Sequence, residues 1–247
     1  MIRAMIFDLD GTLAQTEKLE ALSYALAVVD LCADQTTEAF VIDAFTDVVG
    51  RSRRGVATSL VERFGLVNGA QARMAEFGVS APWLALVQLR LRYYSEMMAD
   101  PGVLPSNQGS HNVALLQQAR TSRCKTALAT MSTCAETLGV LEALNLMHEF
   151  DFIATRDDVE HGKPDPEINQ LAIRELDVPL DDCLVIEDSP SGVKAALGTG
   201  VWCIVVTTPL TRQAIHSERL VDERWIVDNP TTLTVVVEQM MTERKGD

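Results

Sequence analysis

The chain has 247 residues, a formal charge of −14, and a composition 47% hydrophobic but only 5% aromatic. That length and apolar content suffice for one large domain, or a core with a smaller companion, packed mainly by aliphatic side chains. The acidic balance excludes a general nucleic-acid or anionic-membrane surface, and no apolar run reaches the length of a bilayer span.

Met5, Ile6 and Phe7 read as a short buried strand, and Asp8-Leu9-Asp10-Gly11-Thr12-Leu13 as its end and exit turn. Residues two apart in an extended segment point to one side, so Asp8 and Asp10 repel each other unless a cation or a shared proton relieves them. Hard oxygen ligands suit Mg²⁺. Gly11 allows the sharp turn, and Thr12 offers a hydroxyl and an N–H near a helix start. An acidic turn with a helix cap is the blander alternative.

From about Thr16 to Met98 the pattern is helical. Leu19, Leu22, Ala25, Leu26 and Val29 form one apolar face; Phe40, Val41, Ala44 and Phe45 a second; Val56, Leu60, Val61 and Phe64 a third; Trp83, Leu84, Val87, Leu91 and Tyr94 a fourth. Four such helices predict an antiparallel bundle, closed by the linker-like Asp100–Pro105. Beyond Ser110 strands and helices alternate. Strands are predicted at Thr126–Ala129, Phe150–Ile153, Cys183–Ile186, Trp202–Val206 and Trp225–Val227. Helices are predicted at Cys134–Leu144, after Pro166, at Pro190–Leu197 and near Thr232–Met241. This alternation predicts an α/β class: a Rossmann-like, mostly parallel sheet flanked by helices. The expected domains are a discontinuous core, 1–15 with 99–247, and an inserted four-helix cap, 16–98.

The five cysteines (Cys32, Cys124, Cys134, Cys183 and Cys203) are odd in number, include no Cys-x-x-Cys, and in several cases sit inside apolar runs. They fit buried hydrophobes in a reducing, cytoplasmic setting, and no leader peptide is expected before so early a strand. His111, His148 and His216 show no ligand spacing, and His161 suits a surface position at the pocket rim.

Parallel sheets bind ligands at the carboxyl ends of their strands. There the first strand delivers Asp8 and Asp10; the second Thr130, Met131 and Ser132; the third region His161-Gly162-Lys163-Pro164-Asp165-Pro166; the fourth Glu187, Asp188 and Ser189. Alone, Thr130 reads as a helix cap and Lys163 as a solvated loop residue. Glu187-Asp188 after a wholly apolar strand is harder to explain without hydration, capping or a metal. The four segments, in that order, describe a metal and phosphate site.

The four segments Asp8–Leu13, Ala127–Thr130, Gly162–Pro166 and Ile186–Gly192 resemble those of the haloacid dehalogenase superfamily. The resemblance covers the whole chain, and is to the branch with a helical cap that includes β-phosphoglucomutase and the CbbY-like sugar-phosphate phosphatases. It implies an aspartyl-phosphate formed on Asp8, with Asp10 as general acid and base and Thr130 and Lys163 on the phosphoryl oxygens. It implies Mg²⁺ held by Asp8, Asp188 and the Asp10 carbonyl, with Glu187 a ligand or an acid behind one. Gly11, Thr12, Met131 and Ser132 are expected to line the substrate site.

Gly50-Arg51-Ser52-Arg53-Arg54 is the densest basic run and resembles the Gly-x-Ser-Arg turn of such caps, which would set Arg53 on the substrate; a solvated helix start is the other reading. Glu17 matches an acid common at the cap junction that could bind a sugar hydroxyl. Gln15 replaces a usual Asp, Glu20 the mutase histidine, and Thr133-Cys134 a polar pair that often ends in Asn.

The leading expectation is a Mg²⁺-dependent phosphatase for a small phosphate ester, with sugar phosphates the favoured class. It would be a cytoplasmic monomer or weak dimer with no nucleic-acid or membrane partner. The alternatives are a β-phosphoglucomutase-type mutase, which Glu20 argues against, and a non-catalytic binding protein on the same scaffold.

Overall fold

Four consecutive apolar residues with no exposed side form β1 (Ala4–Phe7), as a strand covered on both faces requires. It belongs to a computed structural model that describes residues 2–32, 36–48 and 52–243. The other strands are β2 (Lys125–Ala129), β3 (Phe152–Ala154), β4 (Cys183–Glu187), β5 (Trp202–Val206) and β6 (Ile226–Val227). They form one six-stranded sheet in the order β3-β2-β1-β4-β5-β6, with every pairing parallel. The third strand runs Phe152–Ala154, two residues later than the predicted Phe150 start, because the turn Met147–Glu149 and Asp151 precede it.

Register positions the strand ends. Phe7 lies opposite Leu128 on one side and Ile186 on the other, so Asp8, Ala129–Thr130 and Glu187–Asp188 leave the sheet at one edge. β1 sits where the chain order reverses between β2 and β4, which is the place where open parallel sheets form a ligand crevice.

The chain divides into two compact units, Met1–Gln15 with Leu104–Asp247, and Thr16–Val103. The second unit is helical: α1 (Thr16–Cys32), α2 (Glu38–Phe45), α3 (Arg53–Arg63), α4 (Val67–Phe77) and α5 (Pro82–Met98). The sequence pattern predicts four helices there; the described residues hold five. The additional one, α4, buries only Ala70, so it presents no apolar stripe to read. On α1 the deepest residues are Ala21, Ser23, Tyr24, Ala25, Ala27 and Val28; of the expected face Leu19 and Ala25 are buried, while Leu22, Leu26 and Val29 are half-buried. Arg90 of α5 is buried in this unit, paired with Glu20 at 2.6 Å and stacked between the rings of Tyr24 and Tyr94.

The first unit resumes with α6 (Val103–Ser106), a single turn where the sequence suggested only a linker, and α7 (Ser110–Thr121). α8 (Cys134–Ala143), α9 (Glu167–Leu176), α10 (Pro190–Thr199), α11 (Arg212–Glu218) and α12 (Leu233–Glu243) follow. Ser189 caps α10 by accepting from the Gly192 N–H at 3.1 Å, and Pro190 takes the first helical position, where its missing N–H costs nothing. Among the described residues no helix is long and apolar enough to cross a membrane.

Candidate active site

Asp8 leaves β1 with its backbone N–H donating to the Ile186 carbonyl at 3.1 Å, which keeps the strand register one residue past the sheet. The chain then folds back: the N–H groups of Leu13 and Ala14 both donate to the Leu9 carbonyl at 2.9 Å. Gly11 has φ +88°, a left-handed conformation costly for residues with a Cβ, and a Cβ built there would overlap the Asp188 carboxylate. Gln15, where the family resemblance led us to expect Asp, still ties the turn, donating from Nε2 to the Gly11 carbonyl at 2.9 Å.

Lys163 is the centre of the charge arrangement. Its side chain is 5% exposed, and Nζ donates to Asp8 Oδ1 at 2.6 Å, to Glu187 Oε1 at 2.5 Å and to the Ala129 carbonyl at 2.9 Å. Its backbone N–H donates to Met131 Sδ at 3.4 Å. Burial alone would lower the ammonium pKa, but the Asp8 and Glu187 carboxylates outweigh it and hold the lysine charged. Asp8 moves the other way. Burial raises its carboxyl, Lys163 pulls it back and Glu187 and Asp10 push it up, which together leave it raised to about 8.

Asp10 stands apart from that pair. Its Oδ2 accepts from Ser132 Oγ at 2.6 Å and from Thr130 Oγ1 at 3.3 Å, while the Ser132 N–H donates to Thr130 Oγ1 at 3.1 Å. The end of β2 thus orients the second aspartate of the exit turn.

One carboxylate oxygen from each of Asp8, Glu187 and Asp188 lies within 4.8 Å of the others, and all three residues are buried. Three buried acids against the one ammonium described among them leave a surplus of negative charge that a hard divalent cation fits. Glu187 is the most occupied of the three. Its Oε2 accepts from the Asp188 N–H at 3.0 Å and from the Ser189 N–H and Oγ, each at 3.3 Å, in addition to the Lys163 contact on Oε1. A Cβ on Gly192 would overlap the Glu187 carboxylate, so α10 approaches this acid as closely as glycine permits.

Asp8, Asp10, Thr130, Ser132, Met131, Lys163, Glu187 and Asp188 therefore gather at one sheet edge. Thr12 is fully buried, and its carbonyl accepts from Asn112 Nδ2 at 2.6 Å. Glu17 and Arg53 belong to the helical unit: Glu17 is in the first turn of α1, and Arg53 is the exposed first residue of α3 behind the Ser52 cap. Gly50 and Arg51 of the basic run lie outside the described residues. Arg54 stacks over Trp83 at 5.5 Å, a structural use. His161 is exposed and pairs with Glu167 at 3.2 Å. The Ala129 carbonyl was not singled out by sequence, while Ser189, grouped there at the end of the fourth strand, donates to Glu187. A backbone acceptor leaves no side-chain signature, and Ser189 reads as the helix cap that it also is.

The model for haloacid dehalogenase-like hydrolases matches residues 5–206. Protein CbbY of Cereibacter sphaeroides is 31% identical over 235 residues, spanning 90% of this chain and 92% of the relative. The phosphorylated carbohydrates phosphatase of Thermotoga maritima is 29% identical over 201 residues, spanning 81% and 82%. The crystal structure of CbbY from Rhodobacter sphaeroides in complex with phosphate aligns with a TM-score of 0.58 at 25% identity, over 86% of this chain and 89% of that one. All four strand-end segments fall inside the matched span, and the chain belongs to the haloacid dehalogenase-like hydrolase family.

Proposed function

We propose that this protein is a Mg²⁺-dependent phosphatase that hydrolyses a small phosphorylated metabolite of the sugar-phosphate class through a phosphorylated Asp8. The observation that carries the reading is Lys163, which bridges Asp8 to Glu187 beside Asp188 at the switch point of the sheet. The relative named as a phosphorylated carbohydrates phosphatase supports the substrate class.

A phosphate monoester and a carboxylate repel, so the nucleophile needs nearby positive charge and must itself be ionised. Asp8 and Asp188 would hold the cation, with Glu187 positioning both Lys163 and the Asp188 backbone. The bound cation would supply charge neutralisation on the phosphoryl oxygens and hold Asp8 ionised against its burial. In the first step an Asp8 carboxylate oxygen attacks phosphorus while the ester P–O bond breaks, and the leaving oxygen takes the proton of Asp10. In the second step Asp10 accepts a proton from water, the water oxygen attacks phosphorus, and the bond to Asp8 breaks to give inorganic phosphate. Lys163 and the Thr130 hydroxyl stabilise the charge that spreads over the equatorial oxygens. The helical unit serves as the cap, with Glu17 and Arg53 its candidate substrate contacts.

Phosphate release from a panel of sugar phosphates, with and without Mg²⁺, tests the reading. Release is expected only with the metal and is abolished in Asp8→Asn with the fold intact. Sugar isomer formation without phosphate release, driven by a bisphosphate primer, would instead establish a mutase.

A further inference from the structure

A second cleft, of about 320 Å³, opens in the core unit beyond the carboxyl ends of β5 and β6. None of Asp8, Asp10, Thr130, Lys163, Glu187 and Asp188 is among its lining residues. Its walls are the Gly11–Gln15 turn, the first turn of α7, and the segments that leave the two strands.

Three features point to a ligand. First, α7 is twelve residues long and begins at Gly109 with no side-chain cap, and a Cβ on Gly109 would overlap the Thr12 carbonyl. The helix start therefore presents its partial positive charge without the Ser, Thr or Asp that usually covers it. Second, Asn112 lines the cleft and is 3% exposed; its Nδ2 serves Thr12, but its Oδ1 has no hydrogen-bond partner. A buried acceptor left unmatched is costly and waits for a donor. Third, Arg212 lines the same cleft. Its Nε reaches Thr207 Oγ1 and Asp228 Oδ1, both at 3.3 Å, and its Nη2 donates to the Asp228 carbonyl at 2.7 Å. A guanidinium carries five N–H donors, so this half-exposed one has capacity beyond those contacts. Asp228 also lines the cleft, its carboxylate accepting from Thr207 Oγ1 at 2.7 Å and paired with His216 Nε2 at 3.0 Å.

We propose that this cleft binds a small polyol phosphate, with its phosphate on the first turn of α7 and Arg212 and its hydroxyls on Asn112 Oδ1 and Asp228. Inorganic phosphate carries its one or two O–H donors on the same group that the helix end and Arg212 would hold, with no separate hydroxyls for Asn112 Oδ1 and Asp228. A neutral polyol would leave the helix end and the guanidinium unfilled. The volume stands at the small end of metabolite pockets. Occupancy would bear on catalysis through the cleft wall: Gln15 holds the Gly11 carbonyl and Asn112 the Thr12 carbonyl, on the turn that follows Asp8 and Asp10.

Binding to the full-length Asp8→Asn protein, followed by backbone amide NMR shifts, tests this without turnover. The probes are glycerol 1-phosphate, inorganic phosphate and glycerol. Glycerol 1-phosphate is expected to shift the amides of residues 109–112 and 207–212 saturably, with affinity at least about tenfold above the other two. His111→Glu, an exposed first-turn position where an acid suits the helix end, is expected to leave the fold intact and weaken that binding at least about tenfold. Arg212→Gln is expected to do the same. Shifts confined to the surroundings of Asp8 and Lys163, equal affinity for inorganic phosphate, or indifference to both variants would overturn the proposal. Failure of the phosphatase reading would show as absent phosphate release by the native chain, with these shifts unchanged.

Discussion

Replacing Lys163 by Met removes the one ammonium that touches both Asp8 and Glu187 while keeping most of the side-chain volume. The three side chains are 5%, 9% and 1% exposed, so water cannot take over the lost contacts. Breaking a buried ion pair from one side costs about 3–5 kcal/mol, because the remaining charge stays buried without its partner. Here the loss should be read by denaturant unfolding in EDTA, since a bound divalent cation would mask it. The sign with pH follows from Asp8. Its folded carboxyl is already raised to about 8 by burial, against the pull of Lys163, and the substitution removes that pull. A raised carboxyl stabilises fully below its unfolded value near about 4, and that contribution is lost as pH climbs through the folded value. The deficit of Lys163→Met relative to the native chain is therefore expected to stay nearly constant at about 3 kcal/mol between about pH 5 and about pH 8, where Glu187 has lost its partner, and to widen above about pH 8 by up to about 1.4 kcal/mol per pH unit as the native Asp8 ionises beside the ammonium. Saturating Mg²⁺ should recover part of it, while phosphate release stays at least about a hundredfold down. A deficit that does not widen above about pH 8, or none in EDTA, would refute the account of the buried charge cluster.

Three further outcomes follow from the same geometry. Gly192→Ala is expected to lose about 1–3 kcal/mol in thermal or urea unfolding and to weaken Mg²⁺ binding by calorimetry, because its Cβ would overlap the Glu187 carboxylate. The apparent Mg²⁺ affinity of the native chain is expected to rise with pH up to about 8 and then level off, since the metal must displace the proton that burial favours on Asp8. Leu184→Ala, at a fully buried position in the middle of β4, is expected to cost about 2–5 kcal/mol in urea unfolding with phosphate-release activity retained per folded molecule.

Particular residues show which parts of this molecule the sequence discloses. β1, β5 and β4 up to Ile186 are solid apolar runs, and such runs in alternation with helices specify a parallel sheet. Because parallel strands put their carboxyl ends at one edge, Asp8, Thr130, Lys163 and Glu187-Asp188 could be grouped before any coordinates. α4 escaped because Val67-Asn68-Gly69-Ala70-Gln71 has no apolar periodicity, and Gly69 is there to let the Leu31 carbonyl approach. Part of the deep face of α1 escaped because small residues such as Ala21 and Ala27 do the packing there beside the expected Leu19 and Ala25, while the half-buried Leu22 and Leu26 look more apolar. In the site, the Ala129 carbonyl under Lys163 and the Gln15 amide on Gly11 depend on backbone geometry, which residue types alone do not encode.

Rapid acid quench of the native protein during turnover of a sugar phosphate, followed by peptide mass spectrometry, reads the nucleophile directly. Phosphate bound covalently to the peptide that contains Asp8, and absent in Asp8→Asn, is the expected result. Sustained phosphate release with no phosphorylated peptide at any time, or with the label on a different residue, would contradict the account.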